Sequence, residues 1–565
     1  MITKVVVDSG QMVHFTRVHK SILKALEHFG IYYELLDLHT SRFSSAELED
    51  THLLILAQEG IGKSLSTDEA TTILKMVSRG MGLVVLDGYL EWYPASFLKG
   101  LGFTTISSKK TSLVKICGEG AISRNILTQD VVLKRDVLSS SVEVDNNSGW
   151  IPFLVDENEN FCGIYKRSGK GKIVLYLLSA SLWQDECLGF TEGLDGIFRN
   201  ALVWAAKKPY ITKGMPPFIT ARIDDVSFSG SPVARYKETV SNLRWLDILN
   251  RYGFTPNAGL FIDDIKEEDV RGIRLKYTDG LAEFSPHAFS DPKNINEFPI
   301  YMKHSGEEFP DDVLKDNFER VDRRFAHWGI KPSMTVNAHF GEIGLKALPY
   351  LKARGQRYLM NPIRVGMLWD DPSSHRWDVA PYGKPAFSMG TIPEDKDIFN
   401  VVSHPGDMSS SVPDFDFLCG CTTFWNENTG TDIKKAVERG TFHILRGLEN
   451  GFFGCLMTHE ERISHLTPEQ WEMIIKEIST RIRRVSHIFK SYDYISRYAE
   501  NRTLYRIEWL EYKDGFSIHL KGKNKLPQYL YLFTDEGEKV VERFLEVPEF
   551  ENSVILHFSA PADVI

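Results

Sequence analysis

Two adjacent carboxylates, Asp224 and Asp225, follow an apolar stretch that begins at Pro217. Such a stretch predicts a buried β-strand, and consecutive residues on a strand point to opposite sides. At the carboxyl end of a parallel strand, where α/β folds place their catalytic groups, the two carboxylates could therefore take different tasks. One could bind a metal ion while the other accepts a proton, although an Asp-Asp pair can also simply cap the next helix.

Two later apolar stretches also end in groups that bind metals or transfer protons. The stretch from Gly280 ends at His287, with Asp291 four residues further on, and the stretch from Gly451 ends at His459. Carboxylates and imidazoles supply the oxygen and nitrogen ligands that zinc and related divalent ions accept. We therefore expect a metal ion at these strand ends, with the last histidine serving as an acid.

In these three segments the sequence resembles the metal-dependent polysaccharide deacetylases of the carbohydrate esterases. That family carries a Thr-Phe-Asp-Asp strand end, a His-Ser/Thr-x-x-His strand end and a Leu-x-His segment near the close of the domain. The corresponding segments here are residues 222–225, 287–291 and 457–459. The resemblance covers roughly residues 215–490 and implies a (β/α) barrel of seven strands.

The resemblance also implies roles for individual residues. Asp225, His287 and Asp291 would hold a divalent metal, with zinc as the first candidate, whose bound water attacks an acetamide or ester carbonyl. Asp224 would take the water proton, and His459 would protonate the leaving amine or alcohol. The implied function is the removal of N- or O-acetyl groups from a carbohydrate.

Two departures from the family pattern bear on these expectations. Asp291 stands where the family has a second histidine, which hardens the metal site and makes it more tolerant of ions other than zinc. Residues 337–342 stand where the family has an Arg-Pro-Pro-Tyr-Gly segment, and they lack the arginine that positions the base. That role could pass to Arg222, Arg364 or His339, or be absent.

Further polar and aromatic residues follow predicted strands or lie in loop-like sequence, and we assign them to substrate binding. They are Arg222, His339, Glu342, His404, Trp369 and Trp425. Histidines at strand ends can reach a cleft, and aromatic faces commonly stack on sugar rings. The alternative interpretations are loop polarity, a helix start or a packing anchor.

Two other classes of function stay open. A glycoside hydrolase on the same barrel would use two carboxylates and no metal, with Asp225 paired with Glu342 or Asp370. A non-catalytic carbohydrate-binding protein is favoured by the missing arginine and by the presence of accessory domains. Metal dependence separates the first alternative from a deacetylase.

Composition sets outer limits. The chain has 565 residues, of which 42% are hydrophobic, and this length predicts several domains. A formal net charge of −10 argues against a nucleic-acid partner, which requires a basic face. The six cysteines show no metal-ligand spacing, so we expect reduced core thiols. No apolar segment reaches the length of a membrane span and no leader segment is recognisable, so we expect a cytoplasmic protein without a membrane partner.

Residues 1–210 are predicted to form a flavodoxin-like α/β domain. Strands alternate with helices, one of which begins with the capping-box segment 66–69. Residues 169–176 and 194–206 resemble segments of the class I glutamine amidotransferase-like domains attached to some sugar-active enzymes. The turn 86–90 lacks the nucleophilic Cys of true amidotransferases, so we expect a structural role, including any homo-oligomer contact, in place of catalysis.

The remaining chain divides into a barrel and a tail. Residues 215–495 are predicted to form the (β/α)7 deacetylase-like barrel, whose last helix begins with a capping box at Thr467. A rival acidic pair, Asp263-Asp264, follows the second predicted strand and is interpreted as a loop cap. Residues 500–565 alternate apolar and polar side chains at period two, which predicts a small antiparallel β domain.

Overall fold

Strands and helices in the computed structural model follow the apolar segments and capping signals of the sequence. The residues described are 2–118, 120–123, 126, 130–144, 148–183, 187, 195–228, 236–290, 299–361, 363–369, 371, 389–402, 425–426, 430–512, 516–537 and 539–558. They divide into two compact units. The first unit comprises residues 1–214 and 501–565, and the second comprises most of residues 215–500.

The first unit is built on a nine-stranded sheet with helices on both faces. Its strands are β1 (Ile2–Val7), β2 (Tyr33–Asp37), β3 (Thr51–Leu56), β4 (Gly82–Leu86), β5 (Phe103–Ile116), β6 (Asp130–Val144), β7 (Ile151–Val155), β8 (Phe161–Ser168) and β9 (Gly171–Tyr176). Its helices are α1 (Met12–Lys20), α2 (Ile22–His28), α3 (Thr67–Ser78), α4 (Ala95–Leu101) and α5 (Asp195–Ala205).

The strand order confirms the flavodoxin-like prediction. Strands β2-β1-β3-β4-β9 are parallel, and this is the order of a doubly wound flavodoxin-like sheet. Val5 and Val7 pack on one face of the sheet, and Val6 packs on the other. Alternate side chains of a strand thus enter two separate cores, which explains why the strand is apolar throughout.

Two local features complete the first unit. Helices α1 and α2 meet at Ser21, whose hydroxyl donates to the Arg17 carbonyl at 2.7 Å. The antiparallel strands β5 to β8 extend the parallel part of the sheet beyond β9.

The described part of the second unit is built mainly from parallel strands, most of which are separated by helices. The short strand β10 (Tyr210–Thr212) still belongs to the first unit. The strands of the second unit are β11 (Phe218–Val226), β12 (Pro256–Phe261), β13 (Glu283–Ala288), β14 (Thr335–Val336), β15 (Tyr358–Leu359), β16 (Met389–Thr391), β17 (Phe399–Val401), β18 (Trp425–Asn426), β19 (Gly430–Thr431), β20 (Gly454–His459) and β21 (Ile488–Phe489). Its helices are α6 (Lys237–Val240), α7 (Arg244–Arg251), α8 (Glu267–Thr278), α9 (Asp311–Trp328), α10 (Ala347–Ala353), α11 (Ile433–Glu449), α12 (Glu460–Ile463), α13 (Pro468–Ile482) and α14 (Tyr492–Thr503).

The parallel strands run in the chain order of a seven-stranded (β/α) barrel. One sheet has the order β13-β12-β11-β20, and another has β14-β15-β17 followed by the antiparallel β16. The Ser285 hydroxyl donates to the Thr335 carbonyl at 2.7 Å, which joins β13 to β14. The carboxyl ends of β11, β13 and β20 therefore lie at one rim, where parallel α/β folds place their functional groups.

The C-terminal strands belong to the first unit and are antiparallel, as the period-two alternation predicted. They are β22 (Tyr505–Tyr512), β23 (Phe516–Asn524), β24 (Gln528–Glu536), β25 (Lys539–Val547) and β26 (Phe550–Phe558). They form two three-stranded sheets, β10-β24-β25 and β22-β23-β26, around a shared apolar core. Strand β10 pairs with β24 through Ile211 and Leu532, so two distant parts of the chain build one sheet.

Candidate metal centre

The end of β11 has an irregular backbone that separates its two carboxylates. The β11–β12 register shifts between Ile223 and Val226, and Asp225 has a φ of 57°. This left-handed conformation is uncommon outside glycine, although aspartate tolerates it better than most residues. Asp224 is 2% exposed, whereas the Asp225 side chain is 21% exposed, so the neighbouring acids have different environments.

Asp224 is held by two buried donors. The guanidinium of Arg222, two residues earlier on the same strand, donates to Asp224 at 2.7 and 3.0 Å. The Asn337 side-chain amide donates to Asp224 Oδ1 at 2.6 Å. Burial alone would raise the pKa of Asp224, but Arg222, with smaller contributions from nearby imidazoles, lowers that pKa below its ordinary value. Asp224 is therefore an ionised carboxylate in a fixed orientation.

The Asp225 carboxylate is surrounded by three imidazoles. His287 Nε2 lies 3.1 Å from Asp225 Oδ1, and His339 Nε2 lies 3.9 Å from the same oxygen. His459 Nε2, at the end of β20, lies 3.8 Å from Asp225 Oδ2. Burial opposes ionisation, yet the three rings together lower the pKa of Asp225. This cluster brings together Asp225, His287 and His459, all three of which the strand ends had singled out.

The hydrogen bonding of His287 fits a metal ligand. Its Nδ1 lies 2.7 Å from the backbone carbonyl of Asn337, which can only accept, so Nδ1 carries a proton. In the neutral ring, Nε2 then presents its lone pair to the carboxylate of Asp225. Two lone pairs face each other at this contact unless a proton or a cation lies between them. A backbone carbonyl that fixes the tautomer in this way is the usual partner of a metal-binding histidine.

Asp225, His287 and His339 together form a donor set suited to a divalent ion. Each offers one ligand atom, and these atoms lie within 4.8 Å of one another. Burial lowers the pKa of His339 to about 3, so its ring stays neutral and keeps a lone pair at neutral pH. One oxygen and two nitrogen donors match zinc and the later first-row divalent ions.

The predicted metal ligands are thus placed only in part by the structure. Asp291 lies outside the described residues. His339, predicted to bind substrate, lies in the metal group. It follows β14 in a short turn where Phe340 has a left-handed φ of 53°. The sequence did mark His339 as a candidate, because it stands in residues 337–342, which take the place of the family's Arg-Pro-Pro-Tyr-Gly segment.

One histidine at this site was missed by the sequence analysis. His304 Nδ1 lies 2.6 Å from Glu342 Oε2, and the His304 and His339 ring centroids are 5.8 Å apart. The other Glu342 oxygen accepts the backbone N–H of Trp369 at 3.1 Å. Glu342, predicted to contact substrate, therefore orients a histidine. His304 lies in the connection between β13 and α9, where no strand end or motif marks it.

The remaining predicted residues are only partly described. His404 and Asp370 lie outside the described residues, and so does the side chain of Trp425, whose backbone forms β18. Arg364 lies 3.9 Å from Glu394, so of the proposed arginines Arg222 is the one that contacts Asp224. The rival acid Asp263 pairs with Arg320 and Arg324, which is a structural role.

A glycine makes room for this cluster. A Cβ atom at Gly259 of β12 would lie 2.9 Å from His287 Nδ1 and 2.8 Å from Asn337 Nδ2. Real Cβ atoms essentially never approach other atoms that closely. Strand β12 therefore contributes space to the site, and the ligands come from the strands and turns on either side of it.

Comparisons with known proteins identify no family. No family model and no curated protein matches the sequence. A cytoplasmic protein from Salmonella typhimurium is 11% identical, with a TM-score of 0.28 over 37% of this chain and 100% of its own. A ThuA-like protein from Parabacteroides merdae is 10% identical, with a TM-score of 0.28 over 38% of this chain and 94% of its own.

A β-galactosidase from Bacillus circulans is 12% identical, with a TM-score of 0.25 over 37% of this chain and 33% of its own. Similarities of this size assign neither a family nor an activity. In the part of the chain that the structure describes, no helix combines the length and apolar character needed to cross a bilayer.

Proposed function

We propose that this protein is a metal-dependent hydrolase that removes an acetyl or related acyl group from a carbohydrate. The observation that carries the proposal is the convergence of Asp225, His287 and His339 beside a separately anchored carboxylate, Asp224. A glycosidase needs two carboxylates but no imidazole ligands, and this donor set has the composition of a metal site instead.

Asp225, His287 and His339 would hold the ion, and Asn337 would orient His287 through its carbonyl. When bound, a divalent ion acidifies a coordinated water and polarises the carbonyl of the substrate. Burial of His287 and His339 excludes bulk water from two of the three ligands. This strengthens the electrostatic interactions of the site.

The neighbouring residues would handle the protons. We assign the role of base to Asp224, because Arg222 and Asn337 hold its carboxylate in one orientation next to Asp225. We assign the role of acid to His459, the last residue of β20. This strand pairs directly with β11, and His459 is the register partner of Asp224. Its imidazole would protonate the leaving amine or alcohol as the tetrahedral intermediate collapses.

The carbohydrate part of the proposal is supported by the deacetylase-like motifs and by aromatic groups at the rim. Phe340 is 44% exposed and follows His339 directly. Trp369 contacts Glu342 through its backbone. Exposed aromatic faces suit the apolar face of a sugar ring.

The test follows acetate release from acetylated amino-sugar oligomers together with the chain length of the oligomer. We expect Asp224→Asn to retain metal but to lose acetate release. We expect His459→Ala to slow amide substrates by roughly 10²- to 10⁴-fold and activated phenyl esters far less, because a phenolate leaves without protonation. His287→Ala should remove most of the bound metal while the far-ultraviolet circular dichroism spectrum is retained.

Equal metal content in wild type and His287→Ala would contradict the metal site. Shortening of the oligomer without acetate release, unaffected by chelators, would instead favour a glycosidase.

A further inference from the structure

Glu460 is a buried carboxyl residue next to the candidate acid His459, and its side chain accepts hydrogen bonds from residues outside its own helix. It is 1% exposed and is the first residue of α12, directly after His459. It accepts the backbone N–H groups of Ser227 at 2.8 Å and Phe228 at 3.0 Å. It also accepts the indole N–H of Trp245 at 3.0 Å. These partners lie more than 200 residues earlier in the chain.

These partners define what Glu460 can do. Backbone and indole N–H groups only donate, so they require an acceptor with several lone pairs, which the two oxygens of a carboxyl group supply. Two of them, Ser227 and Phe228, closely follow the metal-ligating Asp225 in the chain. A buried carboxyl group that accepts hydrogen bonds from three donors holds those donors in place.

The segment that Glu460 holds has an unusual backbone. Asp225 has a φ of 57°, and Phe228 has a φ of 55°. For a bulky aromatic residue this conformation is an outlier that persists only where the surroundings impose it. The N–H of Phe228 itself is one of the groups bound to Glu460. The hydrogen bonds therefore act at the position where the backbone is strained.

We propose that Glu460 is a positioning residue for the metal centre. It holds the turn after β11 in the left-handed form that directs the Asp225 carboxylate towards His287 and His339. The same residue follows His459, so it also joins the strand end that carries the acid to the one that carries the metal ligand. This inference rests on the proposed metal site.

The test measures Co²⁺ binding and the visible spectrum of the Co²⁺ protein for wild type and Glu460→Gln. The glutamine side chain has the same length, but its amide nitrogen would face N–H donors. We expect Co²⁺ affinity to fall roughly 10- to 100-fold, as for loss of other groups that orient metal ligands. The d–d bands should also change, because the direction of the Asp225 carboxylate changes. Glu461→Gln, one residue later, should leave both quantities at wild-type values.

Two further variants separate positioning from a general loss of stability. Trp245→Phe removes one donor to Glu460 but leaves the turn bound, so it should lower the unfolding temperature while the Co²⁺ spectrum keeps its wild-type shape. Phe228→Gly removes the strain at position 228, since glycine adopts positive φ freely. Added to Glu460→Gln, it should recover part of the Co²⁺ affinity, with Phe228→Gly alone as the reference because loss of this buried ring itself lowers stability. If Glu460→Gln does not fold, Glu460→Asp, which shortens the side chain by one methylene, provides the second measurement and should lower the affinity in the same direction.

Wild-type affinity and an unchanged spectrum in Glu460→Gln would overturn this inference while leaving the metal site intact. The same holds if Phe228→Gly recovers nothing in the double variant. If the wild-type protein binds no Co²⁺, the proposed function and this inference both fall.

Discussion

At Asp224, two side chains with opposite charges are buried together. The Arg222 and Asp224 side chains are 5% and 4% exposed and are joined at 2.7 Å. Such a pair gains little net stability over an apolar pair, but removal of one partner leaves a buried charge uncompensated. The pair therefore fixes the orientation of the Asp224 carboxylate, and removal of either partner alone should lower the free energy of unfolding.

Replacing Arg222 with Met should lower the free energy of unfolding by ~3–5 kcal/mol, because Asp224 loses its cationic partner. The change should be measured by urea denaturation of Arg222→Met, Asp224→Leu and the double variant. We expect the double variant to be more stable than the sum of the single changes predicts. Strict additivity would show that the two side chains are not coupled.

Gly259 permits a second prediction at the same scale. Gly259→Ala would push a methyl group against His287 and Asn337, so we expect metal affinity to fall roughly 10-fold or more, as for loss of other groups that orient a ligand. Gly272→Ala is the matched control, since its Cβ would meet only the flexible end of Leu243. Calorimetric titration with Zn²⁺ measures both. Equal affinities in the two variants would contradict the packing argument.

Site residues at the ends of apolar strands could be predicted from the sequence, whereas the one in a long connection could not. Asp224, Asp225, His287 and His459 could be found because each ends an apolar strand. The contact of Arg222 with Asp224 follows from a spacing of two on one strand, which places both side chains on the same side. His304 could not be found, because the connection between β13 and α9 that carries it has no periodic pattern.

At the scale of elements, local signals were reliable where they have a specific geometry. Both predicted capping boxes are present: Ser66 with Glu69 at the start of α3, and Thr467 with Gln470 at the start of α13. Each capping box supplies acceptors for backbone N–H groups at the helix start, which have no carbonyl partner in a preceding turn. By contrast, β10 has three residues, and its partner strand β24 lies in the C-terminal region. Short strands whose pairing is entirely non-local leave no such local signal.

The turn after β4 gives a prediction about pH. Asp87 is fully buried and accepts the N–H groups of Gly60 at 3.0 Å and Tyr89 at 2.9 Å. Burial raises the pKa of Asp87 to about 7, despite those two donors. The unfolded chain titrates near pH ~4. Between these two values the folded protein keeps a proton that the unfolded chain has lost.

The free energy of unfolding should therefore fall as pH rises from about 4 to about 7, by up to ~1.4 kcal/mol per pH unit from this group. Asp87→Asn cannot ionise and should remove that contribution. Asp68→Asn, exposed in the first turn of α3, should keep the wild-type slope. Chemical denaturation at several pH values gives the comparison. Identical slopes for Asp87→Asn and wild type would show that Asp87 is ionised throughout.

At the scale of the molecule, the first unit is completed by the end of the chain. Tyr531 and Phe533 of β24 lie in the same apolar cluster as Tyr210 and Trp204. Arg199 of α5 forms an ion pair with Glu542 at 2.9 Å. The parallel, flavodoxin-like part of this unit could be predicted from the alternation of strands and helices, whereas this contribution of the C-terminal strands could not.

A chain that ends at residue 500 should have a first unit with an uncovered core. Burial of Tyr531 and Phe533 alone is worth several kcal/mol at ~1.5–3 kcal/mol for a large apolar side chain. We expect faster proteolysis within residues 1–214 and a lower unfolding temperature for that unit. Protection of residues 215–500 should be unchanged. Equal protection of residues 1–214 in the full and shortened chains would show that the C-terminal strands are dispensable.

The interrupted first unit also affects how the protein is made. The ribosome synthesises residues 1–214, then the second unit, and only afterwards the strands that complete the first. At ~5–20 residues per second, the roughly 290 intervening residues take about 15 to 60 s. During that time the nascent first unit presents β10 and its apolar neighbours without their partners, while the second unit can fold as soon as it emerges. We therefore expect chaperones to bind residues 1–214 of the nascent chain for longer than residues 215–500.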